Sequence, residues 1–390
     1  MRIAIVCSNL FNICEETKKG TEIISYSLIK NLIKVGQKKK MDFTVFASGA
    51  STLPMQIESV DHMPSSADKE IMENGKHIIF ELALISKAFC MQEEFDLYHI
   101  NIGDGDIVLP FTPFVEKPIL ITLHHIYDAD YTRKYFSFYK GNKKVYFVSV
   151  SDAQRKILPD LNYAATIHHG IDTVDEYTFN LKGGSNMVWA GRLIPQKGPD
   201  IVMEVSNRID KSATLFGISK KEQSQWADEQ IIKGLKSGDR YSKVNLILDH
   251  DRLFLIPYFQ NSRLLLFPVQ AEEAFGLVLI ESMACGTPVV AFARGAIPEI
   301  IEDGVTGFLV NPSSEDIRGN WIIKQVGLDG LCEAVEKIYA LSENEYEEMR
   351  KACRKRVEER FSVQRMISEY EDLYEKIILS SIRILKVKED

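Results

Sequence analysis

Compact apolar runs alternate with helix-period stretches along this chain, and after residue 185 the alternation starts again. Residues 2–8, 43–47, 95–99, 118–123 and 145–150 are short apolar runs that read as strands. Between them, Ile23, Ile24, Leu28, Leu32 and Ile33 recur at helical spacing, with Gly36 as the expected stop. A second helix is expected over 70–92, and Ser151 suits the cap of a third through Lys156. The second series has strand-like runs at 187–190, 213–216, 264–268, 287–291 and 306–310, with a helix over 200–209. Residues 218–242 are polar and weakly periodic, which predicts a helix with a surface loop. Such alternation builds parallel sheets covered on both faces. The expected class is therefore α/β, two doubly wound units in tandem, with 177–185 as the linker. A length of 390 residues agrees with two domains at roughly 150 residues each.

Composition removes several functions. Lys plus Arg number 47 and Asp plus Glu 55, a net charge of −8, so the basic footprint of a non-specific nucleic-acid binder is missing. No run approaches the roughly 18 apolar residues of a membrane-spanning helix. The apolar start from Ile3 is too short for a secretory h-region and reads better as a first buried strand. Six cysteines without a CxxC suit a reducing compartment better than a disulfide framework or zinc site, which makes a cytoplasmic location the expectation. No GxGxxG follows the first strand and no GxxxxGK[ST] occurs, which argues against a nicotinamide enzyme and a P-loop.

Open parallel sheets bind ligands at the carboxyl ends of their strands, so the loops there carry the chemistry. Residues 272–288 follow the strand ending at Pro268. Gly276 permits a close turn, 277–284 reads as a short buried helix, and Gly286 ends it. The amides of Phe275, Gly276 and Leu277 become helix-start donors suited to phosphate. Glu273 sits before the helix and Glu281 within its first turns. A buried carboxylate needs partners; whether those of Glu281 are a ligand or a structural lysine or amide stays open at this stage. In the second loop, Arg192 and Lys197 lie between Gly191 and Gly198 after a strand. A guanidinium forks onto phosphate oxygens and an ammonium adds a point charge; the alternative is a solvated basic loop. His99, His124, His125, His168 and His169 fall at strand ends or near the junction of the halves, without acids spaced for a metal site. Gly20, in Lys19-Gly20-Thr21-Glu22, would let a backbone approach a ligand, or Thr21 simply caps a helix.

Taken in order, these segments resemble the retaining family 4 glycosyltransferases, over about residues 2–375. Glu273-x7-Glu281 with Phe275-Gly276-Leu277 looks like that family's paired-glutamate motif, and Gly191-Arg192 to Lys197-Gly198 like its phosphate loop. Residues 295–300 and 303–307 look like later landmarks of its donor domain. Gly20-Thr21-Glu22, Phe46-Ala47-Ser48-Gly49, 151–155 and 168–172 resemble the branch containing avilamycin-type antibiotic-sugar transferases. The resemblance implies a GT-B fold, two facing Rossmann-like domains with parallel sheets and an interdomain cleft. It implies an acceptor-side domain at 1–178, a nucleotide-sugar domain at 185–358, and residues 359–390 returning to the first domain. It implies a metal-independent, retaining transfer of a hexose-type sugar from a nucleotide-diphosphate sugar to a hydroxyl acceptor, with no cofactor. In that picture Arg192 and Lys197 hold the diphosphate and Glu281 meets the ribose hydroxyls. Glu273 faces the donor sugar, His124 lies near the sugar, and Gly20 lies where a loop approaches the phosphates. Phe275, Gly276 and Leu277 complete the donor side.

Lys19, Ala274 and Ala296 depart from residues frequent in that family, and 218–242 departs from its usual glycine-rich turn, so base recognition is the least defined part. Three DxD triplets (104–106, 128–130, 249–251) hold metal in another sugar-transfer architecture, but here read as turns. A catalytically inactive sugar-nucleotide-binding subunit is the alternative function. Lys38-Lys39-Lys40 and Lys143-Lys144 leave open a peripheral contact at the inner membrane surface.

Overall fold

A computed structural model describes residues 1–17, 19–125, 128–218, 224–236 and 239–389. The chain divides into two units, Met1–Gly170 with Val363–Asp390, and Ile171–Ser362. Residues 171–178, expected in the first domain, thus belong to the second unit, and the return to the first begins at Val363.

In the first unit the strands are β1 (Arg2–Cys7), β2 (Asp42–Phe46), β3 (Ile57–Glu58), β4 (Leu97–Asn101), β5 (Ile119–Leu123), β6 (Val145–Ser149) and β7 (Tyr163–Thr166). They form one sheet in the order β3-β2-β1-β4-β5-β6-β7, and every pairing is parallel. Every residue of β4 and β5 is buried, as strands covered on both faces require. One face packs Leu28, Ile29 and Leu32 of the helix Gly20–Lys39 with Met366, Tyr370 and Tyr374 of the helix Val363–Glu389. The other packs Leu84, Ile85 and Ala88 of the helix His77–Cys90.

Two sequence expectations need correction. The first helix runs through Gly36 to Lys39, since an interior glycine costs only about 1 kcal/mol. The helix expected over 70–92 is two, Lys69–Glu73 and His77–Cys90, because Gly75 takes φ +63° between them. The side chains of Lys38 and Lys39 lie outside those described.

His99, on β4, is fully buried. Its Nδ1 pairs with the Tyr374 hydroxyl at 2.6 Å and its Nε2 with Thr122 Oγ1 at 2.8 Å, and Thr122 meets the Tyr370 hydroxyl at 3.0 Å. The ring therefore ties the sheet to the C-terminal helix as a neutral core histidine. Burial pushes its pKa down to about 3. The unfolded histidine titrates near 6.5, so below that pH the unfolded chain binds the extra proton and the fold loses stability. Relative to His99→Gln, the parent's unfolding free energy is expected to fall by up to about 1.4 kcal/mol per pH unit below pH 6.5. Parallel stability curves for the two proteins between about pH 7.5 and 5 would refute this linkage.

The second unit repeats the winding. Its strands are β8 (Asn186–Arg192), β9 (Ala213–Ile218), β10 (Val244–Leu248), β11 (Ser262–Phe267), β12 (Val289–Phe292) and β13 (Gly307–Val310). They form a parallel sheet in the order β10-β9-β8-β11-β12-β13. Of the polar stretch 218–242, residues 219–223 and 237–238 lie outside the described residues; Ser224–Ala227 and Lys233–Lys236 are helical. The helix Glu343–Arg360 starts at a capping box between Ser342 and Glu345. It aims Arg350 and Arg354, one turn apart, into the body of the unit. The Arg350 guanidinium, fully buried, donates to the carbonyls of Asn180, Gln260, Ser262 and Cys285 at 2.8–3.2 Å.

Candidate functional site

In the second sheet the winding reverses between β8 and β11, and ligands bind outside the carboxyl ends of such a strand pair. Arg192 is the last residue of β8, and the following turn, Pro195–Lys197, ends at Gly198 with φ +66°. A Cβ on Gly198 would lie 2.4 Å from the Pro268 carbonyl oxygen, so glycine lets this loop touch the one after β11. The Gln270 amide donates to Gln196 O at 2.8 Å and the Trp189 indole to Lys197 O at 3.1 Å. These contacts bring Lys197 Nζ to 2.5 Å from Glu273 Oε2, with both side chains about four-fifths buried, at 20 % and 18 % exposure. The ammonium also lies 5.5 Å from the Phe267 ring centre.

Arg192 is exposed, and among the described residues no side chain or carbonyl pairs with its guanidinium. One cation is thus shared with an acid and one is open. An ammonium has three donors, so Lys197 can hold Glu273 and an anion together.

The loop after β12 closes the group. The Ala296 amide donates to Glu273 O at 2.9 Å and the Gly295 amide to Glu272 Oε2 at 2.6 Å. Arg294 and Arg318 both pair with Glu272, at 3.5 and 2.8 Å. Gly295 has φ +55°, and a Cβ there would fall 2.1 Å from Glu273 O. Gly295→Ala is expected to lower the thermal midpoint by the equivalent of at least about 1–2 kcal/mol, the cost of left-handed backbone alone. It should also move Glu273 away from Lys197. An unchanged midpoint in a thermal melt would show the loop to be more pliant than this.

The helix Leu277–Ala284 starts at Gly276, whose φ of 99° and ψ of 67° suit glycine alone, and it has no side-chain cap. The Leu279 amide donates to Gly276 O at 3.0 Å, and no side chain of the N-cap serves the two amides before it, the kind of group that suits an anion. Phe275 is buried edge-to-face on Phe361, 5.9 Å between centres, which anchors the approach to the helix. Leu277 is half-buried. At the other end, Arg350 and Arg354 donate to Cys285 O and Ala284 O at 3.1 and 3.0 Å, cations where the helix dipole favours them.

Glu281 is 4 % exposed, and its partners are neither a lysine nor a backbone amide. The Tyr177 hydroxyl donates to it at 2.8 Å and Arg252 at 3.3 Å, and Arg252 also pairs with Glu176 at 2.9 Å. Tyr177, Arg252 and Glu176 lie 104, 29 and 105 positions away, and no local sequence pattern links them to Glu281.

In the first unit, the carboxyl ends of β4 and β5 carry a polar cluster. His124 is buried, and its Nε2 lies 3.1 Å from Asn101 Oδ1. Its ring stacks on His169 at 5.6 Å. Burial pushes the His124 pKa down to about 3, so the ring is neutral. Its Nδ1 is sealed without a partner among the described residues. An added Cβ on Gly20 meets nothing within 4 Å, so the start of that helix is open on this side. Glu81, absent from the residues singled out above, is a lone acid in an apolar helix. Its carboxylate accepts from the amides of Asn9 and Leu10 at 3.0–3.1 Å and from the Ser8 hydroxyl, fixing the loop after β1. That isolated acid was the available signal.

The DxD triplets do not all sit in turns as expected: Asp106 opens the 3-10 helix Asp106–Phe114, Asp130 opens the helix Asp130–Ser137, and 249–251 follow β10. Asp106 accepts from the Ile107 amide at 2.8 Å, Asp128 pairs with Arg133, and Asp249 takes φ 52°. Among the described residues no three His, Cys, Asp or Glu side chains gather as a metal site would need. Nor is any described helix long and apolar enough to cross a membrane.

Residues 184–323, which include both loops and the helix after Gly276, match the family model "Glycosyl transferases group 1". Among solved structures, the Anabaena protein HepE in complex with UDP and glucose superposes with a TM-score of 0.72 at 16 % identity, over 96 % of this chain and 100 % of that one. The fold is GT-B. AviGT4, a glycosyltransferase of avilamycin A biosynthesis, shares that GT-B fold with a TM-score of 0.63 at 14 % identity, over 97 % and 98 % of the two chains. In sequence, the D-inositol 3-phosphate glycosyltransferase of Mycobacterium leprae is 32 % identical over 127 residues, 33 % of this chain. The matched part spans only 29 % of that relative's length.

Proposed function

We propose that this chain is a retaining glycosyltransferase of family 4. It would move a hexose-type sugar from a nucleoside diphosphate to a hydroxyl acceptor, with no metal ion or cofactor. The observation that carries the reading is the Lys197–Glu273 pair on the loops that follow β8 and β11, with Arg192 at the end of β8 in the same loop as Lys197. A diphosphate leaving group needs positive charge fixed in advance, and preorganised donors supply it most effectively. Arg192, Lys197 and the amides around Phe275, Gly276 and Leu277 are assigned to the diphosphate. Glu281 is assigned to the ribose hydroxyls and Glu273 to the sugar. On the first unit, His124 and Gly20 are assigned to the sugar and phosphate approaches. The bond from C1 to phosphate breaks as the acceptor oxygen bonds C1 on the same face, and the acceptor proton passes to the leaving phosphate oxygen. The binding of UDP and glucose by HepE supports a nucleotide-sugar donor here. A cytoplasmic setting fits that chemistry, and contact with the inner membrane surface would suit a lipid-linked acceptor.

The test is a thermal-shift screen against UDP-, GDP-, ADP- and dTDP-sugars, since a ligand at about a hundred times its Kd stabilises by roughly 2.7 kcal/mol. Product analysis with an acceptor panel follows. Stabilisation without transfer would favour the inactive binding subunit, and no stabilisation by any donor would refute both readings.

A further inference from the structure

We propose that Tyr177 and Arg252 are positioning residues: they bind one oxygen of Glu281 and leave the other, Oε2, presented to a vicinal pair of ligand hydroxyls. The inference deepens the assignment of Glu281 to ribose and rests on it. The Tyr177 hydroxyl at 2.8 Å and Arg252 Nη1 at 3.3 Å both donate to Oε1. Among the described residues Oε2 has no partner. It is nonetheless absent from the sealed unpartnered oxygens of the protein, so what remains open to it is solvent or ligand. A carboxylate whose side chain is only 6 % exposed is therefore closed on one oxygen and open on the other.

The clamp is itself held. Arg252 Nη2 pairs with Glu176 Oε2 at 2.9 Å, and its guanidinium carbon lies 5.6 Å from the centre of the Tyr177 ring. Its fork is thus fixed at both ends, and its side chain is 19 % exposed. Tyr177 is 1 % exposed, and burial, then the Glu281 charge, holds its hydroxyl protonated well above the ordinary range, so it acts as a donor. The partners come from distant segments: Glu176 and Tyr177 precede β8, Arg252 follows β10, and Glu281 lies on the helix after β11. Rotation of the carboxylate about its last bond would exchange the two oxygens. Two donors converging on Oε1 oppose that rotation, which fixes the lone pairs of Oε2 in space.

The test compares nucleoside diphosphates with their 2′,3′-dideoxy counterparts by calorimetry, using UDP, GDP, ADP and the matching dideoxy compounds. The parent is expected to prefer the ribose form of the base it binds. Tyr177→Phe keeps the ring and removes the donor; Arg252→Met removes the cation and keeps the stem. Each is expected to weaken the ribose compound roughly tenfold, the loss of a hydrogen bond to a charged group, and to leave the dideoxy compound unchanged. Arg252→Lys is expected to recover part of the preference. If both variants melt lower but keep the parent's ribose-to-dideoxy ratio, the residues are merely structural and the proposal is overturned. Should Arg252→Met fail to fold, the ratio in Tyr177→Phe decides. A parent that ignores the hydroxyls, or a Glu281→Gln variant with an unchanged ratio, instead refutes the ribose assignment of Glu281, and this inference with it.

Discussion

Lys197→Ala is expected to slow sugar transfer by roughly a hundredfold or more at saturating donor, equivalent to about 3 kcal/mol of transition-state stabilisation. Two effects add. Under the proposed function, the ammonium would no longer meet the charge that grows on the leaving diphosphate. Glu273, whose side chain is only 18 % exposed and 2.5 Å from Lys197 Nζ, loses its partner and leaves a negative charge beside the phosphates. The same pairing makes a double variant informative. Because the two groups touch, Lys197→Ala and Glu273→Gln should not add, and the double variant should be less impaired than the product of the singles. Arg192→Ala removes the open cation and is expected to cost a comparable factor without disturbing Glu273. Initial rates of nucleoside diphosphate release with the donor found in the thermal screen would measure all four proteins. Turnover within twofold of the parent in both Lys197→Ala and Arg192→Ala would remove the site from this loop.

The largest effect on stability is expected from Arg350→Ala. This guanidinium satisfies four backbone carbonyls, the Thr287 hydroxyl at 3.2 Å and the Tyr346 hydroxyl at 3.0 Å, and it is fully buried. Carbonyls left unpaired in the interior cost about 1–3 kcal/mol each unless water reaches them. With partial rescue by water, the loss should be on the order of 4 kcal/mol, or about 10 °C in the thermal midpoint of a unit this size. Arg350→Lys should recover little, because one ammonium cannot span acceptors on 180, 260, 262 and 285. A change under about 2 °C in differential scanning calorimetry would show that these contacts are dispensable.

Much of the fold is legible because most strands of the sheet centres are covered on both faces and so are mainly apolar. β5, Ile119–Leu123, is wholly buried and shows this, whereas β4, equally buried, carries His99 and Asn101. The edge strands differ. β3 has two residues, β7 is half-buried throughout, and β10 has no fully buried residue and is interrupted by Asn245, so none shows the long apolar run of a strand covered on both faces. The candidate loops were legible for a different reason. Glycine at 198, 276 and 295 marks backbone with positive φ, and charged residues after strands mark the binding edge of such sheets.

The tandem α/β architecture, the helix after Gly276 and the residue types at the carboxyl ends of β8 and β11 thus follow from the order of residues alone. These depend on periodicity and on local backbone preference, which act over a few residues. Which charges meet is set by the folded arrangement. It paired Lys197 with Glu273, set Tyr177 and Arg252 on one oxygen of Glu281, made His99 a neutral link to Tyr374, and buried Arg350 among carbonyls. Such pairings join residues up to 275 positions apart. Charge and hydrogen-bond complementarity act through space, and the chain order that places those groups side by side is fixed only when the sheets are wound.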